Sequence, residues 1–210
     1  MKDRSYANRG QTLEAFIKFA NDRYRHKRLA HIEKQSTEFI PIRDRNGKVV
    51  SCKVEHKATI DFLGRYKSIP IAIEAKHSST DTIRWDRVEE NQADDMDSFI
   101  SEPGTIGLVV VSFGLKRFFV IPWAFWQAAY NARVRPGSNR KTSVTVTAHG
   151  QTWIIPQKNS IRPEELLPQW EIPNHDYDFG IHYLRDAENY ITPQNENPEN
   201  IVKYEGGNNA

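Results

Sequence analysis

The sequence predicts an α/β fold with a projecting β-hairpin, on three observations: helical periodicity over residues 10–27 and again over about 85–100, short apolar runs of strand character between 30 and 121, and an Asn46-Gly47 pair between two extended runs. Leu13, Phe16, Ile17, Ala20 and Tyr24 recur at the spacing of one face of a helix, with Thr12 placed to cap its start and Glu14, Lys18, Asn21 and Arg25 on the other face. Strand-like runs Ala30 to Lys34 and Glu38 to Ile42 lead into Arg43-Asp44-Arg45-Asn46-Gly47-Lys48. Asn-Gly here signals a two-residue turn with both central residues at positive φ, so a basic hairpin is expected over 38–57. Strands are expected at 58–63 and 69–76, then the second helix with an inward stripe of Val88, Gln92, Met96 and Phe99. The β-rich runs Ile106 to Phe113 and Arg117 to Ile121 meet at Gly114, and Pro122 opens a short helix through Trp123, Phe125 and Trp126, read as core or subunit contacts. Residues 131–162 carry six bases and no acids, around a Pro136-Gly137-Ser138-Asn139 loop and the strand-like Val144 to Thr147.

The chain has 210 residues, enough for one domain with a substantial core. The expected organisation is a domain over 1–170 and an acidic extension over 171–210, disordered from about 192 onward. A hydrophobic fraction of 38% with 27% charged residues is that of a soluble protein. No stretch approaches the roughly 20 apolar residues of a membrane span, and Met1-Lys2-Asp3-Arg4 lacks the apolar core of a signal peptide, so a cytoplasmic location is expected. The single Cys52 excludes an intrachain disulfide and a cysteine-based zinc cluster. The net charge of +2 hides an asymmetry: 171–210 hold eight acids and two bases, whereas 1–170 hold 27 bases and 19 acids. A basic body suits a polyanion, whose phosphates release counterions when neutralised.

The chemistry centres on Glu74-Ala75-Lys76, which ends the apolar run Ile69 to Ile73. Alternation along a strand puts Glu74 and Lys76 on one face and leaves the Ala75 backbone carbonyl as a further oxygen donor. An acid-x-lysine triplet is common, and a solvated strand carries the same pattern. The buried run that feeds this one, and Asp61 on the preceding strand, set it apart. Two carboxylates suit Mg2+, which takes one or two protein carboxylates and fills its octahedron with water and phosphate oxygens. Such an ion activates water against a phosphodiester while the lysine neutralises developing charge. Gln92, the polar member of an apolar stripe, either caps a neighbouring strand or reaches the metal-site water. The seven histidines have no metal-ligand spacing, and there is no phosphate-binding glycine loop, nucleophile elbow or repeat.

From Tyr6 to about Trp126 the chain resembles the RecU family of Holliday junction resolvases, within the PD-(D/E)XK nuclease superfamily. The pieces that carry the resemblance are Asn8-Arg9-Gly10 leading to Thr12-Leu13-Glu14, Lys34, Thr59-Ile60-Asp61-Phe62, Gly64, Glu74-Ala75-Lys76 and Gln92. The resemblance implies a restriction-endonuclease-like mixed sheet flanked by helices, and a homodimer whose two active sites nick opposed strands of a four-way junction. It implies Mg2+ or Mn2+ on Asp61 and Glu74, Lys76 as the group that orients the attacking water or stabilises the transition state, and Glu14 and Gln92 at the edge of the site. The hairpin takes the place of the family's stalk. Arg9, Lys34, Arg43, Arg45, Lys48, Lys53 and Lys57 are the candidate DNA contacts, and a recombinase or branch-migration helicase is a candidate partner.

The chain departs from the family pattern after Lys34, where Gln35-Ser36-Thr37 replaces a proline-containing stretch, and its stalk is shorter. Two other readings therefore stay open: a nuclease of this superfamily acting on duplex, flap or single-stranded DNA, and a DNA-binding recombination accessory that does not cut.

Overall fold

In the computed structural model, which describes residues 5–56, 58–133, 143–192 and 205–206, the N-terminal pattern forms α1, Ser5–His26. Leu13, Ile17, Ala20 and Tyr24 are buried, as the helical spacing requires. Thr12 lies inside the helix and does not cap it. Nothing over 5–11 breaks a helix, since one internal glycine costs only about 1 kcal/mol.

β1 (Ala30–Lys34) follows, then β2 (Glu38–Arg43) and β3 (Val49–His56), paired antiparallel as the expected hairpin. Its turn differs from the expected form. Gly47 is at φ +78°, whereas Asn46 is not at positive φ. The Asp44 carboxylate accepts the N–H groups of Asn46 at 2.8 Å and Lys48 at 2.9 Å, and Gly47 N–H reaches the Asp44 carbonyl at 3.0 Å. Asp44 thus organises a longer loop in which only the glycine is left-handed.

The strand expected at 58–63 is instead β4 (Phe62–Tyr66), and β5 runs over Ile69–Ser78. Then come β6 (Ile83–Arg84), a 3-10 turn Trp85–Arg87, α2 (Glu90–Ile100), β7 (Ile106–Phe113), β8 (Arg117–Pro122) and α3 (Trp123–Asn131). The remaining elements are short: β9 (Ser143–Ala148), β10 (Gln151–Pro156), β11 (Ser160–Ile161), β12 (Glu171–Ile172), β13 (Asn174–Asp176) and β14 (Gly180–Ile181). A six-stranded sheet has the order β1-β4-β5-β7-β8-β12. Only β5 and β7 are parallel, joined by the crossover that carries α2, so the sheet is mixed. β7 is buried along its whole length, which explains its unbroken apolar sequence.

The two faces follow from register. Glu74 and Lys76 stand beside Val109 and Val111. On that same alternation, a Cβ at Gly107 would lie 2.6 Å from Ile100 and 3.0 Å from Trp123, so α2 and α3 cover this face. Ser112, on the other alternation, stands opposite Phe118, whose ring meets Phe16 of α1 at 5.3 Å. The α3 tryptophans are core residues, with Trp126 edge-on to Trp85 at 5.0 Å.

Residues 171–192, set apart by composition as an acidic extension, pack into the same core. β12 pairs with β8 at the sheet edge, and Phe179, Ile181, Tyr183, Leu184 and Tyr190 are buried. The Tyr183 hydroxyl donates to Asn21, Leu184 N–H donates to the Tyr24 hydroxyl at 3.1 Å, and Lys27 pairs with Asp178 at 2.7 Å. Beyond 192, the region where disorder is expected, Glu205 and Gly206 pair with β9, and the other residues lie outside the described ones. Among the described residues no helix is long and apolar enough to cross a membrane.

Candidate active site

β4 ends where the cluster begins. Phe62 is the last residue in register with β5, opposite Ile73, and one step further the ladder is taken over by side chains. Asp61 Oδ2 accepts Ala75 N–H at 2.8 Å, and Glu74 Oε2 accepts Asp61 N–H at 3.3 Å. The Asp61 carbonyl accepts Gln35 N–H at 2.8 Å, and the Thr59 hydroxyl donates to Asp95 of α2. This is why strand structure starts after Asp61 and not at residue 58: Asp61 is bonded to Glu74, Ala75 and Gln35, and Thr59 to Asp95, in place of ladder partners. Within a strand, one residue's N–H and C=O leave by the same edge, so the Ala75 carbonyl opens on the Asp61 side.

Glu74 is fully buried. Its Oε1 accepts from Lys76 Nζ at 2.5 Å and from Gln92 Nε2 at 2.6 Å. Gln92 Oε1 accepts from Lys76 Nζ at 2.9 Å and from Glu89 N–H at 3.1 Å. Gln92 is therefore the N3 residue of a capping box opened by Glu89, and it ties the start of α2 to the end of β5. Glu89 is not one of the residues that ordinarily open a helix, so the sequence carries only half of the signature of this cap, the glutamine at N3. Burial pushes the Glu74 carboxyl up to about 7; contact with Lys76 opposes the rise and the Asp61 carboxylate adds to it.

Asp61, Glu74, Ala75, Lys76 and Gln92 are thus one connected set. Glu14 is on the face covered by α1, ion-paired with Lys34, and among the described residues no contact joins it to the set. Lys34 is correspondingly engaged. Arg43 donates to the Gly47 carbonyl at 2.8 Å and braces the hairpin turn, while Arg45, Lys48 and Lys53 are exposed. The Arg9 side chain and Lys57 lie outside the described residues. His77 points to the opposite face, its Nδ1 2.7 Å from Ser112 Oγ.

The donor set fits a hard divalent cation. It offers oxygen alone: two adjacent carboxylates, one backbone carbonyl, and an Asp61 Oδ1 with no protein donor among the described residues. Among the described residues no group of three or more His, Cys, Asp or Glu side chains converges on a possible ion position. Two carboxylates with water and phosphate oxygens completing the shell is the arrangement Mg2+ favours.

A mixed sheet flanked by helices, with an acidic pair and a lysine where β4 and β5 part, defines the restriction-endonuclease-like class. The model of the family "Recombination protein U" (RecU) matches residues 8–162, and the chain belongs to this family. It is similar to proteins named Holliday junction resolvase RecU from Streptococcus uberis and from Streptococcus agalactiae serotype Ia. Each is 29% identical over 124 residues, or 56% of this chain, covering 61% and 62% of the respective relatives. The match thus spans less than two thirds of those relatives.

Proposed function

We propose that this protein is a divalent-metal-dependent endonuclease that cuts four-way DNA junctions in recombination and repair. The observation that carries the reading is the connected set of Asp61, Glu74, Lys76 and Gln92 at the parting of β4 and β5, in a chain of the RecU family. Asp61, Glu74 and the Ala75 carbonyl would hold Mg2+, with Mn2+ as a substitute. When bound, the ion supplies an acidified water and charge neutralisation at the phosphate.

The protein's own groups do the rest. An ammonium has three donors, and two of those of Lys76 are taken by Glu74 and Gln92. The third is aimed by those two and serves a non-bridging phosphate oxygen or the attacking water. Gln92 fixes that aim because helix capping fixes its own rotamer. Lys76 is largely withdrawn from solvent, so its charge acts at low dielectric, where it is worth most. Glu14, held in its ion pair with Lys34, is given no step in the chemistry. Arg45, Lys48 and Lys53 on the exposed hairpin would contact phosphates of the junction arms, with Arg9, Arg43 and Lys57 as further candidates. A homodimer would place two such sites on opposed strands, and a recombinase or helicase is a fitting partner in a cytoplasmic setting.

The test is cleavage of an end-labelled mobile four-way junction in competition with duplex of equal length and Mg2+. Symmetric, ligatable nicks on the junction alone are expected. Equal cutting of both substrates makes the protein a general nuclease, and binding without cutting at any Mg2+ or Mn2+ concentration makes it a non-cleaving accessory.

A further inference from the structure

Beyond Lys76 the end of β5 opens into a cleft of about 370 Å³, whose other walls are the 79–82 loop and the Ile83–Arg87 segment. None of its lining residues is acidic, whereas Lys76, Arg84 and Arg87 are cationic and Ser79, Thr80 and Thr82 supply hydroxyls. The walls are held in place. Ser78 Oγ donates to the Thr82 carbonyl at 2.5 Å and accepts Thr80 N–H at 3.2 Å. On the far side the fully buried Trp85 anchors the 3-10 turn, its N–H donating to the Asn159 carbonyl at 3.1 Å and its carbonyl accepting Trp126 Nε1 at 3.2 Å.

The two arginines are not equivalent. Arg84 is clamped by both oxygens of Asp86, at 2.9 and 2.5 Å. Arg87 is exposed on an anchored backbone and has no carboxylate partner among the described residues. A guanidinium in that condition, in a polar concavity where Asp86 is taken up by Arg84 and Asp81 is not among the lining residues, suits a phosphate, which it can bind with two parallel hydrogen bonds. The cleft starts at the lysine proposed to face the scissile phosphate, which leaves room for a strand seated there to continue along it.

We infer that this cleft is the subsite for the sugar-phosphate backbone next to the scissile bond, with Arg87 as the group that binds the neighbouring phosphate. The inference rests on the endonuclease reading. It assigns Arg87 a positioning role in substrate binding and none in the chemical step.

The experiment measures anisotropy of a labelled four-way junction in EDTA over a salt series, so that binding is read without cleavage. Arg87→Ala is expected to weaken binding and to reduce the slope of log K against log salt by about 0.9, the value of one phosphate contact. Arg87→Lys is expected to recover the slope. In steady-state cleavage, Arg87→Ala is expected to raise KM and leave kcat unchanged.

A scan of single neutral methylphosphonates across the phosphates flanking the cut site then locates the contact. At one position the modification should weaken the wild type by the factor that Arg87→Ala does, and should leave Arg87→Ala unaffected. Additive losses at every position, or an unchanged slope for Arg87→Ala, overturn the subsite while leaving the cleavage reading intact. A wild type that neither binds nor cuts DNA removes the endonuclease reading and the subsite with it.

Discussion

Replacing Glu74 with Gln isolates the most perturbed proton in the candidate site. Burial pushes this carboxyl from its ordinary 4.5 up to about 7. At 1.36 kcal/mol per unit, that rise corresponds to about 3 kcal/mol of linkage between protonation and folding. A carboxyl whose folded value is raised stabilises the fold as the neutral acid. Its contribution is full below 4.5 and is lost as pH rises through about 7. Glu74→Gln cannot lose that proton, though it also weakens the partner of Lys76 and so shifts stability by an amount that is constant in this window. The difference in unfolding free energy between wild type and variant should therefore fall by about 3 kcal/mol from pH 4.5 to pH 8. Urea titrations in EDTA at fixed protein concentration read this difference. Mg2+ at pH 8 should restore most of it, because the ion takes the place of the proton. A difference that stays constant within about 0.5 kcal/mol across the window would show that Glu74 does not hold a raised proton in the folded state.

Three other perturbations have defined outcomes. Gln92→Ala removes one half of the α2 capping box and the bonds to Glu74 and Lys76. It should cost about 2 kcal/mol by urea denaturation and lower kcat more than it changes KM. Truncation after residue 162 deletes the buried Leu166, Trp170, Ile172, Phe179, Ile181, Tyr183, Leu184 and Tyr190. At roughly 1.5–3 kcal/mol each, their loss is comparable to or larger than the whole stability of a typical domain, so the truncated chain should show no cooperative melting transition by circular dichroism. Gly64→Ala puts a Cβ 2.1 Å from the His31 carbonyl oxygen and 2.6 Å from Ile32 Cα. The clash is with backbone, so β1 has to move off β4, with a loss of about 2–3 kcal/mol in thermal or urea denaturation.

How far the sequence could be read depended on whether the cause was local. Alternation placed Glu74 and Lys76 on one face, and Gln92 stood out as the polar member of an apolar helical stripe; both patterns are local and both describe the folded site. Ala58-Thr59-Ile60-Asp61 has strand composition, yet β4 starts only at Phe62. The actual partners of this stretch are Asp95, Ala75 and Gln35, none of them near in sequence. The Asn46-Gly47 pair marks the hairpin but not its turn type, because the Asp44 side chain outcompetes the Asn-Gly preference. Residues 171–192 looked like an appendage for want of any period. They fold as short strands and 3-10 turns whose partners are distant in sequence, from β8 about 50 positions away to Asn21 and Tyr24 more than 150 away.

Single-turnover cleavage of a labelled four-way junction, with junction binding measured in parallel, separates chemistry at the cluster from DNA binding when wild type is set beside Asp61→Ala, Glu74→Ala and Lys76→Ala. The account predicts that all three variants bind the junction, since binding rests on phosphate contacts elsewhere, and that none cuts it at an appreciable rate. It also predicts that Lys76→Ala still takes up Mn2+ by calorimetry. Full nicking by Asp61→Ala and Glu74→Ala would contradict it and place the chemistry elsewhere in the molecule.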